Sequence, residues 1–282
     1  MILDGKEIAR AIDEETKSSV SELTEKKGRA PRLALVCMGN GCANSRSLSR
    51  PLENHSAGDA EHYVKNIAKK CEEVGIEPHP CLFSASTKEK EILDYIKVLN
   101  ADKGTDAIVV HRPLPIPDAK IIATIDPRKD AYGYFVLSRA SVPNAVIAIL
   151  ERNGIQIGGK HAVIINRSKH LGIPLAQLLL KKDATVTVCH TKTFDLSWHT
   201  GQADIIITAA GRPGLVNEGM VKGGATVVDI GMTRLDGKWA GDVEFDTVKE
   251  KAGAITPVPG GVGPVALAMI LKNVADIFGS NR

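Results

Sequence analysis

Short apolar runs separated by glycine-rich or polar turns fill the second half of the chain. They cover residues 162–165, 185–189, 205–209 and 225–230, and each one ends in glycine or polar residues. Runs of this length are typical of buried β-strands. A helical segment begins at Pro174 between the first two runs, and strands that alternate with helices form parallel sheets. We therefore predict an open parallel sheet for this half.

The first half repeats the same alternation. Apolar runs at residues 33–37, 80–83 and 106–110 are predicted strands, and helical patterns precede or separate them at 5–27, 61–74 and 88–99. A chain of 282 residues is long enough for two domains. The predicted class is α/β with an N-terminal α/β catalytic domain at 1–140, completed by a C-terminal helix at 264–279. A Rossmann-like parallel-sheet domain is predicted at 141–282.

Composition excludes several classes of function. A net charge of +3 and an aromatic content of 4% argue against a nucleic-acid partner. No apolar stretch is long enough for a membrane span, and the charged N-terminal segment lacks a signal-peptide core. The five cysteines show no C-x-x-C spacing, so we expect free thiols in a reducing cytoplasm and no metal.

A corner rich in glycine and proline lies near the end of the chain, at residues 254–264. Three glycines and three prolines fall within residues 257–264. Glycine allows close approach of the backbone to a ligand, while proline fixes φ. Pro264 suits the first turn of the helix predicted to follow. The pattern predicts a stiff binding corner between a strand and a helix.

Polar side chains follow two strands of the predicted C-terminal sheet. Arg167 and Ser168 come directly after the first strand, where a phosphate would meet the amides of the next helix. His190, Thr191 and Lys192 follow the second strand, where an acidic residue would favour NAD. Cations and hydroxyls at this point favour the 2′-phosphate of NADP. NADP is therefore the predicted cofactor, although no G-x-G-x-x-G is present.

These motifs together resemble the bifunctional methylenetetrahydrofolate dehydrogenase/methenyltetrahydrofolate cyclohydrolase (FolD-like) family. The likeness covers nearly the whole chain. In the second half it rests on the segments NRSKHLGIPLAQLLL, ATVTVCHTKT, ADIIITAAGRPGLV, MVKGGATVVDIGM, GDVEF and ITPVPGGVGP. In the first half it rests on DGKEIA, CEEVGI, PLP and the KD of residues 129–130.

The resemblance implies two reactions and a set of binding residues. It implies hydride transfer from 5,10-methylenetetrahydrofolate to NADP, then hydrolysis to 10-formyltetrahydrofolate, in a cytoplasmic homodimer joined through its C-terminal sheets. Matching positions imply cofactor contacts at Asn166, Arg167, Ser168, Thr191 and Met232, and the polar end of the second strand adds His190 as a cofactor-binding candidate. They imply substrate contacts at Pro113, Leu114, Tyr132, Gly260, Gly261 and Pro264.

The catalytic motif of the family departs from its usual form. The family carries a tyrosine and a lysine four residues apart on one helix face, and here an insertion splits the motif. One alignment register places Tyr63 on the tyrosine but Ile67 on the lysine, and the other supplies Ser47 and Pro51. Lys70 lies two helical turns after Tyr63 on the same face. We therefore take Tyr63 and Lys70 as candidate catalytic residues.

Two further positions differ from the family pattern. His111 and Arg112 stand where the family commonly has glutamine, and Tyr132 stands where it has the aspartate that binds the pterin. His111 is a candidate replacement acid or base near neutral pH.

Three hypotheses remain open. The first is an NADP-dependent methylenetetrahydrofolate dehydrogenase with weakened cyclohydrolase activity. The second is an NADP-binding relative that has lost folate chemistry. The third is a dehydrogenase for another pterin, such as tetrahydromethanopterin.

Overall fold

The structure is a computed structural model that describes residues 1–39, 59–111, 114, 116–235 and 238–281, without the side chains of 39 and 59–63. The chain divides into two compact units. The first unit comprises Met1–Ile12 and Ala140–Met269, and the second comprises Asp13–Arg139 and Ile270–Arg282.

Helices and strands alternate along the chain, which confirms the predicted α/β class. The α-helices are α1 (Gly5–Lys27), α2 (Asp59–Glu73), α3 (Glu89–Ala101), α4 (Ala119–Thr124), α5 (Ser141–Arg152), α6 (Gly172–Leu180), α7 (Leu196–Thr200), α8 (Phe245–Lys251) and α9 (Val262–Ser280). The strands are β1 (Arg32–Gly39), β2 (Glu77–Ser84), β3 (Ala107–Val110), β4 (His161–Ile165), β5 (Thr185–Cys189), β6 (Ile205–Thr208), β7 (Thr226–Asp229), β8 (Thr233–Leu235), β9 (Lys238–Ala240) and β10 (Ala254–Ile255). Short 3₁₀ helices cover Leu137–Arg139 and Glu218–Met220.

The second unit is built on a parallel sheet in the order β2-β1-β3. Residues 129–131 extend it beyond β3, because Ile108 donates to the carbonyl of Lys129 and accepts from the amide of Ala131. The apolar runs identified in the sequence supply the core, which includes Val36, Phe83 and Ile108. As in other parallel sheets, the carboxyl ends of these strands lie at one edge.

The first unit is built on a parallel sheet in the order β10-β7-β6-β4-β5. Apolar side chains cover both faces, as expected for a parallel sheet between helix layers. The chain enters at β4, passes to β5 on one side, and then crosses back to β6 on the other side. This reversal creates the switch point at which open α/β sheets bind ligands.

The glycine-proline corner is fastened to the start of α1 within the first unit. Leu3 donates to the carbonyl of Ile255 at 2.8 Å, and Gly5 donates to the carbonyl of Gly260 at 3.0 Å. Gly260 has a φ of 109°, a region that side chains rarely adopt. A Cβ on Gly5 would lie 1.7 Å from the carbonyl oxygen of Gly261, so only glycine fits there. The helix α9 begins two residues before Pro264, which lies in its first turn.

One helix in the described part of the chain, α9, is long and apolar enough to span a membrane by length and composition alone. Its most apolar window is 56% buried, and Val265, Leu271 and Phe278 are fully buried. Its apolar character is that of a core helix. The four cysteines that the structure describes are buried and form no disulfide with one another, and the fifth, Cys42, lies outside the described residues.

The variant Gly5→Ala tests the contact between α1 and the corner. The added methyl group would collide with backbone, which we expect to cost roughly 1–3 kcal/mol of unfolding free energy. Thermal unfolding should show a lower Tm than for Gly263→Ala, because a Cβ on Gly263 meets no atom within 4 Å. Equal Tm values for the two variants would contradict the tight contact.

Candidate functional site

The turn between β4 and α6 is braced by the side chain of Asn166. Its Nδ2 donates to the carbonyl of Ala209 at 2.7 Å, and its Oδ1 accepts from the amides of Ser168 at 2.8 Å and Gly172 at 3.2 Å. The predicted cofactor residue Asn166 therefore holds the turn in shape. Arg167 and Ser168 are exposed and able to meet a ligand.

The end of β5 presents a second polar segment. The Nδ1 atom of His190 accepts from the amide of Lys192 at 3.1 Å, and the amide of His190 donates to Oγ1 of Thr193 at 2.8 Å. These bonds shape a tight turn that leaves Thr191 and Lys192 exposed. No carboxylate occurs among residues 190–193.

Parallel pairing brings these two segments side by side. Ile165 at the end of β4 pairs with Cys189 at the end of β5, so the residues that follow leave the same sheet edge. Arg167 thus emerges next to the segment at 190–192. Cations, a hydroxyl and exposed turn amides are groups that bind phosphate, so this edge fits a phosphorylated dinucleotide.

A buried carboxylate supports the loop after β6. Asp242 is fully buried and accepts from Oγ1 of Thr208 at 2.9 Å, the amide of Ala210 at 2.5 Å and the amide of Arg212 at 2.8 Å. Buried carboxylates are stable only when hydrogen bonds replace their hydration. Asp242 therefore fixes the path of residues 208–212 at the switch point.

A second buried carboxylate, Asp229, lies at the end of β7. It accepts from the amides of Gly231 at 2.8 Å, Asp242 at 3.1 Å and Val243 at 2.9 Å. Burial, together with the nearby charge of Asp242, raises the pKa of Asp229 to about 6. The amide of Asp229 donates to Oγ1 of Thr256 at 2.8 Å, which connects β7 to the corner.

Neither carboxylate was predicted from the sequence. The available signals were an acidic residue at the end of an apolar run, Asp229 in VVDIG, and an acidic residue directly after a glycine, Asp242 in GDV. A Cβ on Gly231 would lie 2.2 Å from the carboxyl carbon of Asp242, which explains the glycine. The predicted cofactor residue Met232 follows this glycine, and 60% of its surface is exposed.

The predicted substrate residues of the corner lie at the end of β10. Gly260 and Pro264 are half-buried, and Gly261 is buried. A Cβ on Gly261 would lie 2.6 Å from the carbonyl oxygen of Pro257, so this position also requires glycine. The corner therefore presents mainly backbone atoms, and few side chains, to a ligand.

The protonation state of His111 differs from the one expected from the sequence. It follows β3, and its amide donates to the carbonyl of Val36 at 2.8 Å. Burial lowers the pKa of its imidazole to about 4. At this pKa the ring is neutral at pH 7, which differs from the expected titration near neutral pH, and the catalytic role of His111 stays a prediction.

Tyr132 stands at the same sheet edge, on a loop held by Asp130. The buried carboxylate of Asp130 accepts from the amides of Gly133 at 2.9 Å and Phe135 at 3.1 Å. Tyr132 stacks on Tyr134 with ring centroids 4.5 Å apart and an interplanar angle of 16°. The loop therefore presents an aromatic pair where the resemblance implies a carboxylate.

Leu114 packs against the core of the second unit. Pro113 and Arg112, like Ser47 and Pro51, lie outside the described residues, and so does the side chain of Tyr63.

Lys70 is not brought together with His111 and Tyr132. It lies in the last turn of α2, which leads to the start of β2, whereas His111 and Tyr132 lie at the carboxyl ends of strands. Its Nζ contacts Glu73 at 2.8 Å and Asp13 at 3.4 Å. The hydrogen bond to Glu73 raises the pKa of Lys70, so its ammonium stays charged.

Ile67 occupies the lysine position of the register that places Tyr63 on the family tyrosine. It is 1% exposed and lies on the buried face of α2 with Val64 and Cys71. This position therefore faces the apolar core of the second unit. Among the residues that the structure describes, no group of three or more metal-ligating side chains is placed to hold a metal.

The reversed strand order and the phosphate-type turn place the first unit among α/β proteins that bind a dinucleotide. Family models agree with this class. The model described as "Tetrahydrofolate dehydrogenase/cyclohydrolase, NAD(P)-binding domain" matches residues 140–282, and the corresponding "catalytic domain" matches residues 3–131. The chain belongs to the tetrahydrofolate dehydrogenase/cyclohydrolase (FolD) family.

Individual relatives span nearly the same length. The "Bifunctional protein FolD" of Halothermothrix orenii is 42% identical over 96% of this chain and 95% of its own. The crystal structure of the FolD enzyme from Campylobacter jejuni superposes with a TM-score of 0.87 at 37% identity, over 99% of this chain and 98% of its own. The Trypanosoma brucei FolD, solved with NADP cofactor and an inhibitor, has a TM-score of 0.87 at 31% identity, over 99% of this chain and 97% of its own.

The raised pKa of Asp229 predicts a distinct dependence of stability on pH. The folded protein holds the Asp229 proton up to about pH 6, whereas the unfolded chain releases it near 3.8. The contribution of Asp229 to the free energy of unfolding is therefore fully present below pH 3.8. It is lost as pH rises through about 6, and the loss is up to roughly 3 kcal/mol.

Denaturant unfolding of the wild type and Asp229→Asn between pH 4 and 7 measures this loss. The free energy of unfolding should fall less with rising pH in Asp229→Asn than in the wild type. Asp204→Asn is the control, because the hydrogen bond from Lys222 lowers the pKa of Asp204. The contribution of Asp204 to the free energy of unfolding is therefore lost as pH falls, which is the opposite direction. Parallel curves for wild type and Asp229→Asn would overturn the assignment.

Proposed function

We propose that this protein is an NADP-dependent dehydrogenase of 5,10-methylenetetrahydrofolate. One observation carries the proposal: the ends of β4 and β5 place Arg167 and Ser168 beside the cationic segment at 190–192. Membership of the tetrahydrofolate dehydrogenase/cyclohydrolase family supports the pterin substrate. Bound NADP supplies the hydride acceptor, and the chain supplies binding and orientation.

The preference for NADP follows from charge at the end of β5. NAD-specific sheets of this kind use a carboxylate there to bind the ribose 2′-hydroxyl, and such a group would repel a 2′-phosphate. Thr191 and Lys192 offer a hydroxyl and an ammonium instead. The side chain of Asn166 stabilises the neighbouring turn and leaves Arg167 and Ser168 to contact phosphate.

The hydrolytic step is the weaker half of the proposed activity. In one alignment register the lysine position holds Ile67, which is packed in the core, and the charged ammonium of Lys70 is ion-paired with Glu73 and Asp13. His111 is neutral at pH 7 and lacks a pKa suited to proton exchange there. Tyr63 remains a candidate catalytic residue. Hydride transfer depends mainly on holding two ligands in register, so it tolerates these changes better.

A dehydrogenase for another pterin is the second candidate, and Tyr132 favours it. A carboxylate accepts two hydrogen bonds from the amino edge of a pterin, whereas a phenol accepts at most one strongly. The stacked pair of Tyr132 and Tyr134 offers aromatic surface in exchange. A relative that only binds NADP remains the third possibility.

The domain and assembly proposals rest on the same resemblance. We assign residues 1–140, with the helix at 264–279, to folate binding and residues 141–282 to NADP binding. A cytoplasmic homodimer joined through the C-terminal sheets is proposed. Exposed apolar side chains on the β8–β9 hairpin support an interface there, namely Leu235 and Trp239.

The proposed activity predicts that the two reactions separate. With saturating 5,10-methylenetetrahydrofolate and NADP, we expect NADPH to form while the methenyl product accumulates. Absorbance at wavelengths specific for NADPH and for the methenyl group follows both at once. Absence of NADPH formation would refute the dehydrogenase, and hydrolysis as fast as oxidation would refute the weakened second step.

The variant Tyr132→Asp distinguishes a folate enzyme from one adapted to another pterin. Restoring the carboxylate should lower the KM for methylenetetrahydrofolate about 10-fold, the value of one charged hydrogen bond. Tyr132→Phe is the matched control, because it keeps the ring and removes only the hydroxyl. A higher KM in Tyr132→Asp, with turnover of tetrahydromethanopterin by the wild type, would favour the other pterin.

A further inference from the structure

A lysine that the preceding assignments leave unused stands beside the glycine-proline corner. Lys6 lies in the first turn of α1, and its Cε atom is 3.5 Å from the point where a Cβ on Gly260 would be. The side chain is exposed, so its ammonium reaches solvent at the corner. The absence of a side chain on Gly260 leaves room for a ligand next to this cation.

The backbone around Lys6 is held in place on both sides. Gly5 donates to the carbonyl of Gly260, and the amide of Lys6 donates to Oδ1 of Asp4 at 2.8 Å. Thr256, at the start of the corner, accepts from the amide of Asp229. The base of the Lys6 side chain is therefore fixed relative to β7 and β10, which is a condition for precise binding.

The charge of Lys6 is not neutralised within the described residues. No carboxylate there forms an ion pair with its ammonium, although Asp4 directly precedes α1 and Glu7 lies in its first turn. The Asp4 carboxylate is engaged by the amide of Lys6. A free ammonium beside exposed backbone attracts an anionic or carbonyl oxygen.

The strand order indicates which ligand reaches this corner. In the proposed NADP complex, the 2′-phosphate binds at the end of β5 and the pyrophosphate at the turn after β4. The nicotinamide half must then extend away from β5, past the ends of β6 and β7. The next strand in that direction is β10, which carries the corner. A substrate that receives or donates a hydride at the nicotinamide therefore lies near Gly260.

We propose that Lys6 is a substrate-binding residue, which holds an oxygen of the pterin substrate at the Gly260–Gly261 corner. The inference rests on the proposed dehydrogenase function. The ligand oxygen is either a carboxylate of the glutamate tail or the carbonyl of the pterin ring. Both are acceptors that an ammonium binds, and they can be told apart with a substrate that lacks the tail.

Lys6→Met tests the proposal through the separation of two binding constants. Loss of a charged hydrogen bond should raise the KM for methylenetetrahydrofolate about 10- to 100-fold and leave the Kd of NADP unchanged. Lys6→Arg should retain part of the affinity, because it keeps the charge. Lys26→Met, on the same helix and also exposed, is the control and should behave as wild type.

Two measurements make the result decisive. The substrate methylenetetrahydropteroate lacks the glutamate tail. If wild type and Lys6→Met have the same KM for it, the tail carboxylate is the group that Lys6 binds. If the KM of Lys6→Met for this substrate is still higher than that of the wild type, Lys6 binds the ring carbonyl. An unchanged KM in Lys6→Met, or an equal loss of NADP affinity, overturns the proposal.

Direct calorimetric binding of tetrahydrofolate separates this inference from the proposed activity. Binding by the wild type without turnover would refute the dehydrogenase alone, and the ratio of Kd values for wild type and Lys6→Met would still test Lys6. If the wild type binds no tetrahydropterin, both proposals fail. Circular dichroism of each variant checks that the fold is intact.

Discussion

The hydrogen bonds accepted by two buried carboxylates hold the candidate cofactor site together. Asp242 fixes the loop that leaves β6, and Asp229 fixes the loop that leaves β7 and the segment at 242–243. The amides of residues 210, 212, 231, 242 and 243 donate to these carboxylates, because an amide that does not bond within a sheet needs another acceptor. The carboxylates supply several acceptor sites each, at the cost of a raised pKa for Asp229.

Close packing around these groups explains why glycine recurs in the first unit. Gly231 lies against the carboxyl group of Asp242, and a Cβ on Gly241 would lie 2.1 Å from Oδ2 of Asp229. Gly5 lies against the corner in the same way. The glycines therefore act together with the acids: the acids provide acceptors, and the glycines let the backbone approach them. Neither residue type alone would produce this sheet edge.

Local pattern was sufficient to predict strands β1–β7 and the longer helices, because short apolar runs and helical periodicity report burial directly, whereas α7, α8 and the strands β8 and β9 were not predicted. The phosphate turn was also predictable, since Arg167 and Ser168 directly follow a strand. The Asp229–Asp242 arrangement was not, because it depends on contacts between segments distant in sequence. The state of His111 was missed for a related reason: a polar residue after a strand suggests exposure, while its burial depends on neighbouring elements. The alignment that reached Ile67 could not show that this position faces the core.

The pairing of the first residues with β10 has a consequence for how the protein forms. Leu3 and Gly5 hydrogen-bond to Ile255 and Gly260, while the whole second-unit segment Asp13–Arg139 is inserted between them along the chain. During synthesis Leu3 and Gly5 cannot form these hydrogen bonds until the corner has left the ribosome. The sheet of the first unit is therefore completed only late in translation, and loop closure across the inserted segment becomes a late step in folding.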